Sequence, residues 1–403
     1  MIRLLALVAL LPSALLSGAG RAAAPSDWPT RYGNAAQAAF NPGETSLRPA
    51  GLAPRFRLDG VTSYVVGGGR LFAFRQIRPG LSAPAAYNAR TGALQHVYTA
   101  AAQSFPSEMA YGNGRLFVSG PAVTALDTVT GHVIWRTSLP NVSIGWHFPI
   151  LAGNMLLVTV TRLHVDDVPY ALDAPSGRIL WSVHRTYSET PTVVRDRVFI
   201  PFSLLSRPAR EDIVTYNLRT GRWLGRRTLP FDAIQDRWMA TGNRLVLVGD
   251  TTNSPLTMAM DLHNAVVWRN DHFRALATAY GLVFGLYVPH PVARGEMLGT
   301  NIGYPAALSL ATNRLVWVNR NMGIRDEGVR GNAAVANGVF YYVDQARNAI
   351  LAFDARSGGS LGASRPPNGY GIGSDMGIAD GMLFVAGGRK GVLGSYDLFA
   401  FAP

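Results

Sequence analysis

The sequence predicts an all-β fold: an eight-bladed β-propeller of four-stranded antiparallel blades, closed by an N-terminal strand. Three observations predict it. A hairpin motif recurs at blade length along the 403-residue chain, an alternating apolar strand opens each repeat, and the last repeat ends one strand short where a spare strand stands upstream of the first. The hairpin reads apolar-x-Asp-x-x-Thr-Gly and runs into a strand ending in Trp. Its clearest copies are Ala125–Trp135 and Ala171–Trp181, with weaker copies centred on Asn88, Asn217, Asp261, Ser309 and Asp354. Successive anchors lie 39 to 48 residues apart, the length of one blade.

Each residue of the hairpin has a local reason to be there. Asp127 and Asp173 cap their own turns through the carboxylate, and Gly131 and Gly177 supply the positive φ that closes them. Trp135, Trp181, Trp268 and Trp317 are large and planar, suited to wedging between adjacent sheets. His96, Gly225 and Gly362 occupy that position in three copies, so the wedge is expected to be missing there. The opening strands are Arg70–Phe74, Arg115–Val118, Met155–Val160, Val198–Pro201, Arg244–Val248, Leu282–Leu286, Val339–Val343 and Met382–Val385. The chain ends in Leu398–Phe401, a third strand without a fourth, and Leu52–Leu58 is placed to complete it and leave no free edge.

The N-terminus divides from the propeller. Arg3, the apolar run Leu4–Leu16 and the small residues ending Ala22-Ala23-Ala24 have the layout of a secretory signal over residues 1–24. Residues 25–50 read as a polar strap and 51–403 as the propeller. No later window offers about twenty consecutive apolar residues, so no transmembrane segment is expected, and the location is periplasmic or secreted.

Composition removes several function classes. With 48% hydrophobic and 15% charged residues, the chain has ample core and is neither disordered nor a coiled coil. The absence of cysteine excludes disulfides, thiolate metal sites, a cysteine nucleophile and a lipid anchor at an N-terminal Cys. The formal charge is +12, and Lys390 is the one lysine among 37 basic residues. The skew reads first as genome composition; the second reading is a basic outer face that meets an anionic ligand or an acidic envelope protein, since arginine binds carboxylates and phosphates bidentately. No basic run interleaved with aromatics points to nucleic acid, and no Ser-hydrolase elbow or spaced His pair appears. His164–Asp167 reads as a solvated turn, and Gly369–Gly373, with no helix after it, as a flexible connection and not a phosphate loop.

The pattern A-x-D-x-x-[TS]-G-x-x-x-W resembles the tryptophan-docking repeat of the pyrroloquinoline quinone (PQQ) propeller superfamily, and Asp27-Trp28-Pro29 and Asn41–Thr45 resemble its N-terminal lead. In length and blade count the chain resembles the BamB-like periplasmic propellers. That resemblance implies a non-catalytic scaffold binding a protein or ligand in the cell envelope, the alternative being a PQQ- and Ca²⁺-dependent oxidoreductase of the alcohol dehydrogenase type. An enzyme of the superfamily would hold PQQ over Ca²⁺ with a carboxylate and an amide as ligands, an Asp as base and a vicinal disulfide. The cysteines and a Trp-Asp-x-x-x-Pro segment are absent, and Thr241-Gly242-Asn243 sits at the hairpin position of Gly112-Asn113-Gly114. No catalytic residue, metal ligand or cofactor is therefore assigned.

Counting six residues back from the equivalent of Gly114 gives Ser63, Glu108, Phe148, Thr190, Arg237, Ala275, Asn332 and Asp375, which should ring one mouth of the central channel. Its polar members Glu108, Arg237, Asn332 and Asp375, with His147 and Arg274 one residue earlier, are the candidate binding residues. The competing reading is a water-filled channel whose polar lining satisfies strand ends.

Overall fold

A computed structural model describes residues 26–104, 108–140, 147–160, 168–183, 190–204, 210–229, 233–251, 254–290, 302–325, 332–392 and 396–403. The signal-like segment 1–24 and His164–Asp167 lie outside the described residues. Eight four-stranded antiparallel blades form the ring, and the first strands of most consecutive blades touch around the centre. Blade 1, for example, runs outward through Tyr64–Gly67, Arg70–Arg78, Leu81–Asn88 and Leu94–Val97. The opening strands read from the sequence are the second strands of the blades. Blade 8 takes its first three strands, Tyr370–Ala379, Met382–Arg389 and Asp397–Ala402, from the C-terminus and its fourth, Ala53–Asp59, from the N-terminus. Ala53 faces Ala402 and Asp59 faces Asp397, so the closing strand lies where the sequence places it. Among the described residues the helical content is one 3₁₀ turn, Thr99–Ala101, and no helix is long and apolar enough to cross a membrane.

Gly369–Gly373 is not a connection. It enters the first strand of blade 8, where Gly371 lies opposite Gly388. A Cβ on Gly387 would stand 2.3 Å from the Gly371 carbonyl oxygen, so this stretch is glycine-rich because two backbones approach closely.

Neighbouring blades are docked by the indoles. Trp135, Trp181, Trp268 and Trp317 each donate Nε1–H to a carbonyl of the next blade, at Ala174 (2.9 Å), Leu218 (2.9 Å), Leu310 (2.8 Å) and Ala355 (3.0 Å). Three of these rings also rest on the next turn's glycine: a Cβ would lie 2.5 Å from Trp135 at Gly177, 2.6 Å from Trp181 at Gly221 and 2.3 Å from Trp317 at Gly358. The turn glycine thus provides both the positive φ and the flat seat for the ring.

The expected gaps in this series are partly filled. His96 of blade 1 packs on Gly131 as the indoles do on their glycines, 2.3 Å from a Cβ there, and Phe56 of the closing strand packs on Gly92, 2.6 Å away. Gly362 of blade 7 faces blade 8, which has no third-to-fourth-strand hairpin because its fourth strand comes from the other end of the chain. In blade 4, Gly225 offers no wedge, and the junction is made from the other side: Asn264 of blade 5 sends its side chain to within 3.5 Å of a Cβ at Gly225 and donates Nδ2–H to Thr215 Oγ1 at 3.1 Å, while Arg227 Nη1 donates to the Asn264 carbonyl at 2.6 Å.

Truncating one wedge tests this docking. Trp317→Ala should lower stability by roughly 3–5 kcal/mol, as removal of a buried aromatic does, with Gly358→Ala also destabilising through its φ of +73° and its contact with the indole. Urea unfolding of both variants is the measurement, and a Trp317→Ala midpoint equal to wild type would show that the indole does not hold the blades together.

Candidate functional site

Every blade presents the inner edge of its first strand to the axis, a row of backbone groups that, among the described residues, only the two-residue strap strand Phe40–Asn41 extends, pairing in parallel with the first strand of blade 7. The N-terminal strap fills that need. Trp28 exchanges both backbone hydrogen bonds with Val66 of blade 1 (2.8 and 3.0 Å), and the Pro29 carbonyl accepts from Tyr111 N of blade 2 (2.9 Å). The carbonyls of Ala35, Ala36, Ala38 and Ala39 accept from Val193, Ala240, Thr278 and Val335 of blades 4 to 7 at 2.7 to 2.9 Å. Asn41 Nδ2 completes the circuit by donating to the Ile378 carbonyl of blade 8 at 2.7 Å. All seven partners are the penultimate residue of their blade's first strand. The register of the strap is thus copied from the repeat. Its turns between blades place Gln37 and Ala39 at φ of 51° and 49°, a strained region for residues with a Cβ, held by these bonds.

Between Pro29 and Ala35 the strap sends Arg31 into the axis. Its guanidinium bonds Asp375 through Nε (3.4 Å) and Nη2 (3.0 Å) and reaches Glu108 Oε1 at 3.6 Å. Ser63 donates to the other oxygen of Glu108, and the Tyr64 hydroxyl donates to the carbonyls of Phe384 (3.2 Å) and Asp375 (3.3 Å). Asp375 sits at a bulge in the first strand of blade 8 with φ of 71°, which aims its carboxylate at Arg31. The adjoining cleft, about 340 Å³ including its solvent-open mouth, is lined by Arg31, Ser63, Tyr64, Glu108 and Asp375.

Of the residues counted out of the sequence, the structure brings together Ser63, Glu108 and Asp375, on the consecutive blades 1, 2 and 8. Arg274 and Asn332 are buried at the inner ends of blades 6 and 7 and do not line this cleft. His147 opens the first strand of blade 3 and Arg237 lies in that of blade 5; their side chains fall outside the described ones. Arg31 was not among the candidates. Nothing in its local sequence separates it from the other arginines, and its partner Asp375 is 344 residues away.

The electrostatics follow from two carboxylates sharing one guanidinium. Burial raises the pKa of Glu108, Arg31 and the Ser63 hydrogen bond oppose that rise, and nearby Asp375 adds to it. Burial acts against the charge on Arg31, but Tyr32, Asp375 and Glu108 outweigh it and bind its proton more tightly than in a free arginine. The Tyr64 hydroxyl is pushed well up, first by burial and then by Asp375.

A second anchor holds the far end of the strap. Buried Glu44 accepts from Ser26 Oγ (2.7 Å), Ser46 N (2.6 Å), Ser46 Oγ (2.7 Å), Leu47 N (2.8 Å) and Gly381 N of blade 8 (2.8 Å). Burial acts to raise its pKa, yet the donors from Gly381, Ser26, Ser46 and Leu47 prevail and hold it at about 2.

The family described as outer membrane protein assembly factor BamB matches residues 84–319, more than half of the chain. No curated protein sequence matches significantly. Among solved structures, a quinohemoprotein alcohol dehydrogenase, ADHIIG from Pseudomonas putida HK5, superposes with a TM-score of 0.66 at 12% identity, over 94% of this chain and 80% of that one. A europium-containing methanol dehydrogenase gives 0.63 at 12% identity, over 94% and 98% of the two chains. BamB from Moraxella catarrhalis gives 0.55 at 12% identity, over 87% and 100%. At such identities these likenesses concern the fold.

The fold family raises the question of a quinone held over Ca²⁺, and the donors around the axis do not fit one. Ca²⁺ takes six to eight oxygen ligands, whereas Glu108 and Asp375 are both committed to Arg31. Among the described residues no group of three His, Cys, Asp or Glu side chains converges.

Two predictions follow from the strap's anchors. In a double-mutant cycle of Arg31→Met and Glu108→Gln, followed by urea unfolding, the coupling should be about 0.5–3 kcal/mol, because Arg31→Met alone leaves the Glu108 carboxylate unpaired whereas the double change does not, and the loss of the Asp375 partner is common to both and cancels. Additive effects would show that the pair is not energetically linked. The Glu44 carboxyl, at about 2 when folded against 4.5 when free, contributes stability above about pH 4.5 that is lost as the pH falls toward 2. Glu44→Gln should therefore flatten the decline in melting temperature over that window, although Glu108, shifted the other way, is relieved by protonation in both proteins. Parallel acid curves for wild type and variant would refute the anchor.

Proposed function

Because the chain belongs to the BamB family of PQQ-like propellers, we propose that it is a non-catalytic binding scaffold of the cell envelope, acting in the periplasm or after secretion. The observation that carries this reading is Arg31. A residue of the chain's own strap occupies the axis and consumes both carboxylates that could have served as ligand or base there. The strap bonds to seven of the eight blades, so it belongs to the architecture of the ring. What remains for function is the outside: a rigid disc with loops that vary between blades and an arginine-rich surface. Such a surface suits an acidic envelope protein or another anionic partner, with chemistry left to that partner.

The experiment has two arms. Affinity capture from envelope extract should recover a defined partner, and recovery should weaken as ionic strength rises past about 0.15 M, where the Debye length falls to roughly 8 Å. Dye reduction with an alcohol, PQQ and Ca²⁺ should show no turnover. Quinone-dependent turnover by the wild type, abolished by Glu108→Gln or Asp375→Asn, would replace the scaffold reading with that of an oxidoreductase.

A further inference from the structure

The outer strands are the sides of the propeller that no neighbouring strand covers, and the one in blade 4 differs from the others. It spans Trp223–Leu229, seven residues, and is the longest of the seven outer strands that continue their own blade; the rest have four to six. It pairs inward with Arg210–Asn217, and its other edge has no strand partner among the described residues. Blade 4 is also where the wedge is absent, with Gly225 in the place of the docking indole. An aromatic appears two residues earlier, as Trp223, which is 60% exposed. Among the equivalent residues, Leu94, Val133, Val266 and Leu315 are aliphatic and 39–45% exposed. A tryptophan kept in water on a sheet edge is an unusual use of the most apolar-rich side chain.

The charges on the strand and its turn are basic, with Asp212 on the adjacent strand and Asp196 beside the turn. Arg219, Arg222, Arg226 and Arg227 lie on this strand or the turn leading into it, all exposed. Arg226 is paired with Asp212 on the adjacent strand, and Arg227 reaches the Asn264 carbonyl. No carboxylate pairs with Arg219 or Arg222 among the described residues. By contrast, the closing strand Ala53–Asp59, also seven residues long, carries Pro54, which lacks an N–H, and Asp59, paired with Arg57.

We propose that the outer edge of blade 4 is a docking strip for an extended acidic segment of a partner protein, which adds as a fifth strand beside Trp223–Leu229. The inference rests on the scaffold reading and names its contact. The edge supplies a row of backbone donors and acceptors, for which another strand is the natural complement. Trp223 offers a flat apolar surface to one side chain of the added strand. Arg219 and Arg222 select carboxylates at its end. The same arginines disfavour a second copy of this chain, because two such edges would place like charges opposite one another.

The test uses the full mature chain and a labelled peptide of about eight residues with alternating glutamate and valine around a central tyrosine. Fluorescence anisotropy should show binding that weakens at least about 10-fold between roughly 0.05 M and 0.5 M salt. Trp223→Ser and Arg222→Glu should each cost about 10-fold or more with unchanged circular dichroism, since both side chains point to solvent. A peptide N-methylated along one edge keeps the charge but loses the backbone donors, and it should not bind. Equal binding of the N-methylated peptide, or of the two variants, overturns the proposal. So does binding to anionic phosphatidylglycerol vesicles without binding to the peptide, which would make the patch a lipid contact. If Trp223→Ser and Arg222→Glu still recover the envelope partner that wild type recovers, the docking strip is wrong and the scaffold reading stands. If wild type recovers no partner, the scaffold reading fails whatever the peptide does.

Discussion

A ring of independent sheets exists only if each sheet can settle against the next, and at three of the junctions that contact is an indole lying on a turn glycine. The tryptophan needs a flat seat, and a glycine at positive φ supplies one because any Cβ would stand within about 2.6 Å of the ring. The carbonyl beside that turn then takes the indole proton. Once this pair is set, much else is forced. The turn must be an Asx turn to leave the glycine where it is: Asp127 and Asp354 each accept from the amides two and three residues on, and Asp173 accepts from Ser176 N alone because Pro175 has no N–H. The blades must repeat at a nearly constant length, and the ring must be closed by a strand from the opposite end of the chain.

The axis follows from the same repetition. Eight equivalent inner edges create equivalent unsatisfied peptide groups, and a single extended segment can satisfy one in each of seven blades while travelling once around. Arg31 is carried into the centre by that segment, and Asp375 and Glu108 converge on it because register puts them on adjacent inner strands. The polar residues of the mouth therefore serve the chain's own strap. Function is displaced outward, to loops and to the outer strands, where neither packing nor repeat symmetry dictates the residue. Trp223 and its arginines stand in that unconstrained region, and so their exposure carries information that the exposure of one more rim valine does not.

Much of this fold was legible in the chain because its determinants are local. Asp127, Gly131 and Trp135 lie within nine residues and each states its role through turn chemistry or size. Repetition then multiplied a weak signal into a firm one and let register counting reach Ser63, Glu108 and Asp375 without any knowledge of their contacts. The same counting also named Arg274 and Asn332, which are buried at equivalent depth in other blades but do not join the cluster, because equivalence in a repeat fixes depth and orientation and not the partner met there. His96 and Phe56 were invisible as wedges, since neither resembles tryptophan in sequence and Phe56 reaches Gly92 only after the ends of the chain have met.

The sequence by itself determined the number of blades, the hairpin that shapes each and the strand that closes the ring, all of them consequences of backbone preference and side-chain size over a few residues. Only the tertiary structure decided that the strap would encircle the axis and that Arg31 would be shared by Glu108 and Asp375. Those contacts join residues 77 and 344 positions apart. They form when the ring brings the two ends of the chain to the same point, and no local pattern encodes where that point will be.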